Sequence, residues 1–128
     1  MPITGAQAKV AAAAAVGVMK ENNWAMAVAV VDPSGNLVYF EKMDATQHAS
    51  VEIAIQKAKS AAAFKRPTKV FADGIANNAG LGTLPGVIGS EGGLPIVVNG
   101  RIVGAIGCSG GTGQQDGVAC TAGAGAVH

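Results

Sequence analysis

The chain repeats apolar residues with the spacing of an α-helix in three places. The first run covers residues 5–22, where Val10, Ala14 and Val18 recur on one face, and the last is a glycine-rich run close to the C-terminus. The middle run, residues 46–64, is the most regular. Its apolar face carries Val51, Ala54, Ile55, Ala58 and Ala62. These runs predict three helices, and the middle one is clearly amphipathic.

Each run is preceded by the signature of a helix N-terminus. A Thr or Asp three residues before a Gln can form a capping box, which satisfies backbone N–H groups that the first helical turn leaves unpaired. Three such pairs occur: Thr4 with Gln7, Asp44 with Gln47, and Thr112 with Gln115. The middle helix is expected to end before Pro67, because the residue preceding a proline avoids helical geometry.

Apolar, β-branched segments between the helices predict two antiparallel hairpins. The first joins "WAMAVAVVD" to "LVYFEKM" through the turn "DPSGN", and its first strand is apolar enough to be covered on both faces. The second joins "LPIVV" to "RIVGAIG" through Asn99-Gly100, a pair that supplies the positive φ angles of a type I′ turn. Strands mixed with helices in this way indicate an α+β fold.

The pattern is least regular between the two hairpins. Residues 68–78 predict a short helix, whereas "NAGLGTLPGVIGSEGG" is too rich in glycine for regular structure, apart from a candidate edge strand near "PGVIG". The predicted order is α-β-β-α-(α)-β-β-β-α, in a single domain spanning residues 1–128. A loop of this length in a compact domain is often functional.

The amino-acid composition limits the partners and the cellular locations that we expect for this protein. Nearly half the residues are apolar but only five are Phe, Trp or Tyr, so we expect a small alanine-rich domain to gain burial by forming a homo-oligomer. A net charge of +1 without a basic stripe argues against nucleic acid as a partner. We expect neither a leader peptide nor a membrane span, and we expect Cys108 and Cys120 to be buried free thiols of a cytoplasmic protein.

The stretch "GCSGG" at residues 107–111 matches G-x-S-x-G, the nucleophile elbow of serine hydrolases, and Asp116 and His128 follow Ser109 in the order of a triad. However, an elbow follows a parallel central strand, whereas Ser109 would follow the second arm of a hairpin, and His128 is the last residue of this sequence. We therefore interpret the glycines as a sharp turn into the last helix. The N-terminus of that helix remains a candidate site for an anion.

A few polar residues are candidates for ligand binding or catalysis. His48 is the only histidine well inside the chain, and its neutral imidazole could ligate haem iron or another metal or act as a base. Glu91 lies among glycines that permit close backbone approach, so it is a candidate pocket acid or base. Arg66 either interacts with the negative end of a helix dipole at the helix C-terminus or binds the carboxylate of an acidic ligand. For each of these three residues, the alternative to a functional role is that of an ordinary solvent-exposed side chain.

Two long segments resemble one protein family over essentially the whole chain. "MDATQHASVEIAIQKAKSAAAFKRPTK", followed by "EGGLPIVVNGRIVGAIGCSGGTGQQD", is similar to the GlcG/HbpS-like family, whose members include haem-binding, haem-degrading and PduO C-terminal-like domains. The resemblance implies a profilin-like fold, with a five-stranded antiparallel sheet between helices, and a homo-oligomer that is often an octamer. It also implies small-molecule binding, with haem as the most strongly indicated ligand.

Two functional hypotheses follow from the resemblance and the candidate residues. In the first, a ligand pocket is formed by the start of the second helix, the glycine-rich loop and a neighbouring subunit, with His48 as the axial haem ligand. The pocket residues would be Thr46, Gln47, His48, Arg66, Pro85, Gly86, Glu91, Gly92 and Gly93. In the second, the protein is a catabolic isomerase or lyase for a small organic acid or aldehyde, with Glu91 or His48 as the base and Arg66 holding the carboxylate. An assembly subunit without chemistry is a third hypothesis.

Overall fold

A computed structural model describes all of residues 1–128 and shows a four-stranded antiparallel sheet with helices on both faces. The elements in chain order are α1 (Gly5–Glu21), β1 (Ala27–Val31), β2 (Leu37–Lys42), α2 (Ala49–Phe64), α3 (Lys69–Ile75), a 3-10 turn (Ala79–Thr83), β3 (Gly93–Val98), β4 (Arg101–Ser109) and α4 (Gly113–Gly125). The α+β fold class is confirmed, and the element order is broadly as predicted. None of the helices has the length and apolarity needed to cross a bilayer.

The sheet has the strand order β2-β1-β4-β3 and lacks the predicted fifth strand. The edge strand expected near "PGVIG" is absent, because residues 84–92 run irregularly into β3. Gly86 has a φ of +86° and Gly92 a φ of +128°, and neither angle belongs to an extended strand. The expectation of five strands was therefore wrong.

Strand β1 lies in the middle of the molecule and is covered on both sides, as its sequence predicts. All five of its residues are fully buried. Val28 and Val30 belong to the core under α1 and α4, whereas Ala27, Ala29 and Val31 face α2. This alternation is the period of two expected of a strand, and it divides the interior into a larger and a smaller core.

Helix α2 packs unusually close to the sheet because the facing residues are small. Its buried face consists mainly of alanines, among them Ala54 and Ala58. A Cβ atom built on Gly107 of β4 would lie 2.2 Å from the carbonyl oxygen of Ala54 and 2.6 Å from the nitrogen of Ala58. The backbone of α2 thus occupies the space that any side chain at position 107 would need.

The predicted helix caps are confirmed for α1 and α4, where both reciprocal bonds of the Thr–Gln capping box are present. The box predicted from Asp44 and Gln47 is wrong. The hydroxyl of Thr46 donates to the carbonyl oxygen of Met26 at 2.8 Å, and this bond ties the segment to the chain just before β1. Helix α2 therefore begins only at Ala49, with His48 as an N-cap residue whose side chain makes no capping bond.

The Asn99-Gly100 hairpin and the end of α2 are confirmed. Asn99 and Gly100 have φ angles of +51° and +77°, as a type I′ turn requires. Helix α2 stops at Phe64, and Lys65 adopts the left-handed conformation just before Arg66-Pro67.

The two cysteines form a disulfide, which the sequence did not predict. Cys108 on β4 and Cys120 on α4 are both fully buried, and their Cα atoms lie 5.8 Å apart. The expectation of burial is confirmed, but the expectation of free thiols is wrong. The glycine-rich turn after Ser109 folds α4 back over β4, which brings together two cysteines separated by 12 positions.

We expect the disulfide to contribute about 3 kcal/mol to the free energy of unfolding, because closing a loop of this length restricts the unfolded chain. The measurement is urea denaturation of the oxidised protein, the reduced protein and the Cys108→Ala/Cys120→Ala variant. The midpoint should fall on reduction of the wild type and should be insensitive to reductant in the variant. Detection of two reactive thiols in denatured, unreduced protein would contradict the bond.

Candidate functional site

The predicted ligand residues lie in three separate places around α2. Thr46, Gln47 and His48 lead into its N-terminus, whereas Gly86 lies against Phe64 at its C-terminal end. Because α2 has 16 residues, these two places are about 24 Å apart along the helix axis. Glu91 and the two glycines after it form a third place, at the start of β3. The structure does not bring these residues into one pocket.

A shallow groove lies beside the N-terminal end of α2. It consists of two adjoining depressions of about 300 and 330 Å³ that share Asn23, Trp24, Ala25 and Ala45. We call it the Trp24 groove. Gln47 lines the first depression, together with Gly110, Gly111 and Gln115; Met43 and Asp44 line the second.

His48 is exposed but is not itself a wall residue of the groove. It follows Gln47 directly in the chain, and its imidazole makes no hydrogen bond or ion pair with the protein. Thr46, in contrast, is buried and bonded to Met26, so it supports the segment and does not face a ligand. Of the three residues predicted at the start of α2, Gln47 is the one that lines the groove, and His48 is exposed directly after it in the chain.

The arrangement around Ser109 excludes a serine hydrolase triad. Ser109 is buried, and its hydroxyl donates to the Ser50 hydroxyl at 3.3 Å; the Ser50 oxygen also accepts a bond from the Gln47 side-chain amide at 3.1 Å. No base contacts Ser109, and His128 is exposed. The interpretation of "GCSGG" as a structural turn is therefore consistent with the structure.

Lys57 and Asp116 form an ion pair in which both side chains are buried. The ammonium of Lys57 lies 2.9 Å from Oδ2 of Asp116 and donates a second bond, at 3.0 Å, to the Cys108 carbonyl. Oδ1 of Asp116 accepts a bond from the Gly111 N–H at 3.0 Å. The pair links α2 on one face of the sheet to α4 on the other, passing the start of β3.

The glycine pair at the start of β3 makes room for this ion pair. A Cβ atom on Gly92 would lie 3.0 Å from Lys57 Nζ and 2.8 Å from Asp116 Cβ, and one on Gly93 would lie 2.4 Å from the Lys57 carbonyl. These two glycines were predicted to approach a ligand. Instead they approach the buried ion pair, which fills the space.

Glu91 and Arg66 make local contacts that do not converge on a ligand site. The Glu91 side chain packs on the first turns of α4, where a Cβ atom on Gly117 would meet its carboxylate at 2.5 Å. An acidic group near a helix N-terminus is electrostatically favourable. Arg66 is exposed, and its Nε donates to the Phe64 carbonyl at 2.9 Å, as expected of a side chain that complements a helix C-terminus.

Burial raises the pKa of Asp116 above its ordinary value of 3.8, and the Lys57 ammonium and the Gly111 N–H only partly offset this effect. Desolvation penalises the ionised carboxylate. A buried ion pair of this kind therefore adds little net stability, although the loss of either partner would leave a buried charge without compensation.

We predict that Lys57→Met and Asp116→Leu each lower the free energy of unfolding by about 3–5 kcal/mol, because each leaves one buried charge unpaired. The double variant should recover most of the loss. Urea denaturation measures all three variants. Lys69→Met, which breaks the exposed pair with Asp73, is the matched control and should change little. A double variant as unstable as the sum of the single variants would show that the two residues do not interact.

We also predict a pH dependence specific to Asp116. Its folded-state pKa is raised, so its contribution to stability is complete below the unfolded value of 3.8 and is lost as pH rises through the folded pKa. The free energy of unfolding of the wild type, taken relative to Asp116→Asn, should therefore fall as pH increases from the unfolded pKa toward neutrality. Denaturation at a series of pH values tests this, and a rising difference would show that the attraction of Lys57 outweighs burial.

The family and its relatives are identified by comparison with known proteins. Residues 3–125 match the family model described as "Haem degrading protein HbpS-like". Protein GlcG of Escherichia coli strain K12 is 36% identical over 91 residues, which are 70% of this chain and 68% of that protein. A 15.0 kDa protein of Citrobacter freundii, from the dhaT-dhaS intergenic region, is 34% identical over 119 residues. These residues cover 89% of this chain and 84% of that protein.

Solved structures agree with this similarity. A double mutant of Streptomyces reticuli HbpS superimposes with a TM-score of 0.90 at 32% identity, covering 98% of this chain and 86% of that chain. The crystal structure of a PduOC:heme complex superimposes with a TM-score of 0.89 and covers 100% of this chain and 96% of that chain. Its sequence identity is 22%, so this similarity shows a shared fold alone. The match of the family model over nearly the whole chain shows that this protein belongs to the HbpS-like family.

Proposed function

We propose that the protein binds a small molecule at the Trp24 groove, that this molecule is haem, and that His48 is its axial ligand. The single observation that carries the proposal is an exposed imidazole, without any partner in the protein, on the residue that directly follows Gln47 in the wall of a groove that also contains Trp24. The description of the family as haem-degrading supports haem as the ligand, as does the existence of a PduOC:heme complex with the same fold.

The residues at the groove fit one side of a haem. Trp24 and Met43 are half-buried and packed on the larger core, so they provide a rigid apolar surface for a planar ring. The Lys42 ammonium lies at the rim, within 3.3 Å of the Met43 carbonyl, where it can attract a propionate group. Cys108 and Cys120 are bonded to each other, so no thiolate competes with His48. Bound haem would supply a redox-active iron.

One chain provides one wall of this site, because both depressions are open to solvent on the other side. A second copy placed over the groove would cover the opposite haem face and exclude water. Self-association would also bury further apolar area, since Trp24 and Met43 in the groove are only half-buried in the single chain. We therefore propose a homo-oligomer with shared ligand sites, and an octamer is the assembly that the family resemblance implies.

Nothing in the structure favours the alternative of a proton-transfer enzyme. Glu91 packs on α4 near the start of β3, His48 lies at the start of α2, and Arg66 lies beyond the far end of α2. These three residues do not surround a common space. The proposed cytoplasmic location also loses support, because stable disulfides are characteristic of oxidising compartments.

We predict that hemin added to the wild type produces a shifted, protein-bound Soret band, and that His48→Ala moves this band or abolishes it. Binding should also quench the fluorescence of Trp24, the single tryptophan of the chain. Absorption and emission titrations measure the two effects on the same sample.

His128→Ala is the matched control, because His128 is also an exposed histidine but lies far along the chain from the groove. It should bind hemin like the wild type. Identical Soret bands in the wild type and His48→Ala would refute the axial role of His48, and an unquenched Trp24 would exclude the groove as the site.

A further inference from the structure

A second cavity lies near the other end of α2, well away from the Trp24 groove. It has a volume of about 380 Å³, within the range of small-molecule sites. We call it the turn cavity, because the turn between β1 and β2 forms one of its walls. Five of its nine lining residues carry polar side chains; the lining consists of Pro33, Ser34, Gly35, Asn36, Gln56, Lys59, Ser60, Ala63 and Gly86.

The helix contributes one continuous stripe to this cavity. Gln56, Lys59, Ser60 and Ala63 follow the i, i+3, i+4, i+7 spacing, so their side chains share one face of α2. The opposite wall is the turn, and Gly86 of the long loop closes the end near Phe64. Three separate segments therefore converge on one space, and two of them are loops.

Ser60 is buried in this wall without a hydrogen-bond partner. The residue is 1% exposed, and its hydroxyl oxygen is the only buried side-chain oxygen or nitrogen in the protein that bonds to nothing. An unsatisfied buried hydroxyl costs about 1–3 kcal/mol. A polar molecule that fills the cavity and bonds to Ser60 would remove this cost.

Lys59 gives the cavity its charge. It forms no ion pair, unlike the neighbouring Lys57 and Lys69. The nearest acidic group of the turn, Asp32, is occupied by the backbone N–H groups of Ser34 and Asn36 and by the Asn36 side-chain amide, at 2.9–3.2 Å. These bonds lower the pKa of Asp32 and keep its carboxylate within the turn. A lysine without an ion-pair partner therefore lines a cavity whose other polar side chains are all neutral.

The remaining groups specify a complementary ligand. The Ser34 hydroxyl makes no bond, and the Gln56 amide donates to Glu52, which leaves its carbonyl oxygen available to accept. The carbonyl oxygen of the Asn36 side chain is likewise unbonded. A lysine ammonium can form a charge-assisted hydrogen bond with a ligand carboxylate. The protein hydroxyls and amide oxygens can form hydrogen bonds with hydroxyl groups of the ligand.

We propose that the turn cavity binds a small carboxylate that carries hydroxyl groups, with Lys59 bonded to the carboxylate and Ser60 bonded to a ligand oxygen. The site does not share residues with the Trp24 groove and does not depend on haem binding. The proposal for the turn cavity can therefore be tested independently of the proposed haem binding.

Titration with gluconate, followed by amide ¹H–¹⁵N NMR spectra of the full chain, tests the proposal. Gluconate carries both a carboxylate and hydroxyls; sorbitol carries the hydroxyls alone, and butyrate the carboxylate alone. We expect gluconate to shift the amides of Ser34, Gly35, Ser60 and Gly86 in a saturable way, and to bind more tightly than sorbitol or butyrate.

Lys59→Gln should weaken gluconate binding about tenfold, the effect of losing one charge-assisted hydrogen bond. Ser60→Ala should weaken it less, and Lys20→Gln, an exposed lysine on α1, should leave it unchanged. Lys59 is exposed, so its variant is expected to fold normally. Absence of saturable shifts at these amides would overturn the proposal, as would equal binding of sorbitol, or gluconate binding that is insensitive to both Lys59→Gln and Ser60→Ala.

Discussion

The ion pair between Lys57 and Asp116 connects parts of the fold that the sheet otherwise separates. Helices α2 and α4 lie on opposite faces, and this pair is the direct polar link between them. It depends on the absence of side chains at Gly92 and at Gly93, the first residue of β3, because a Cβ atom at either position would collide with Lys57 or Asp116. The same carboxylate holds the Gly111 N–H, so the pair also fixes the turn from which α4 starts. Since both ions are desolvated, the pair adds little net stability, and we infer that its role is to specify one arrangement of the two helices.

Close packing of small residues imposes the second constraint. The alanine face of α2 lies directly on Gly107 of β4, and the disulfide from Cys108 to Cys120 holds α4 on the other side of the same strand. Strand β4 is therefore fixed from both faces over consecutive residues. This explains how a chain with few bulky aromatic residues keeps a dense interior, because short distances between backbones replace large side chains.

Local sequence signals predicted the elements but not the long-range contacts between them. The capping boxes at Thr4 and Thr112 and the Asn99-Gly100 turn act within a few residues, so they could be identified from sequence alone. Asp44 is not a cap, because α2 begins only at Ala49, after a segment that Thr46 bonds to the distant Met26 carbonyl. Lys57 was overlooked because lysine is usually exposed, although it lies on the buried stripe between Ala54 and Ala58. The candidate ligand residues could be named from the sequence, but their separation along α2 depends on tertiary structure.

Helix α2 divides the molecule into a fixed centre and two adaptable ends. Its central residues contact the sheet backbone and the buried ion pair, so substitution there disturbs the core before it can alter a ligand site. Its ends meet loops: residues 43–48 at the N-terminal end, and the β1–β2 turn with Gly86 at the C-terminal end. Loops accept changes in length and sequence more readily than packed elements. Relatives that share this framework can therefore differ in what they bind at either end of the helix, and the fold by itself does not identify the ligand.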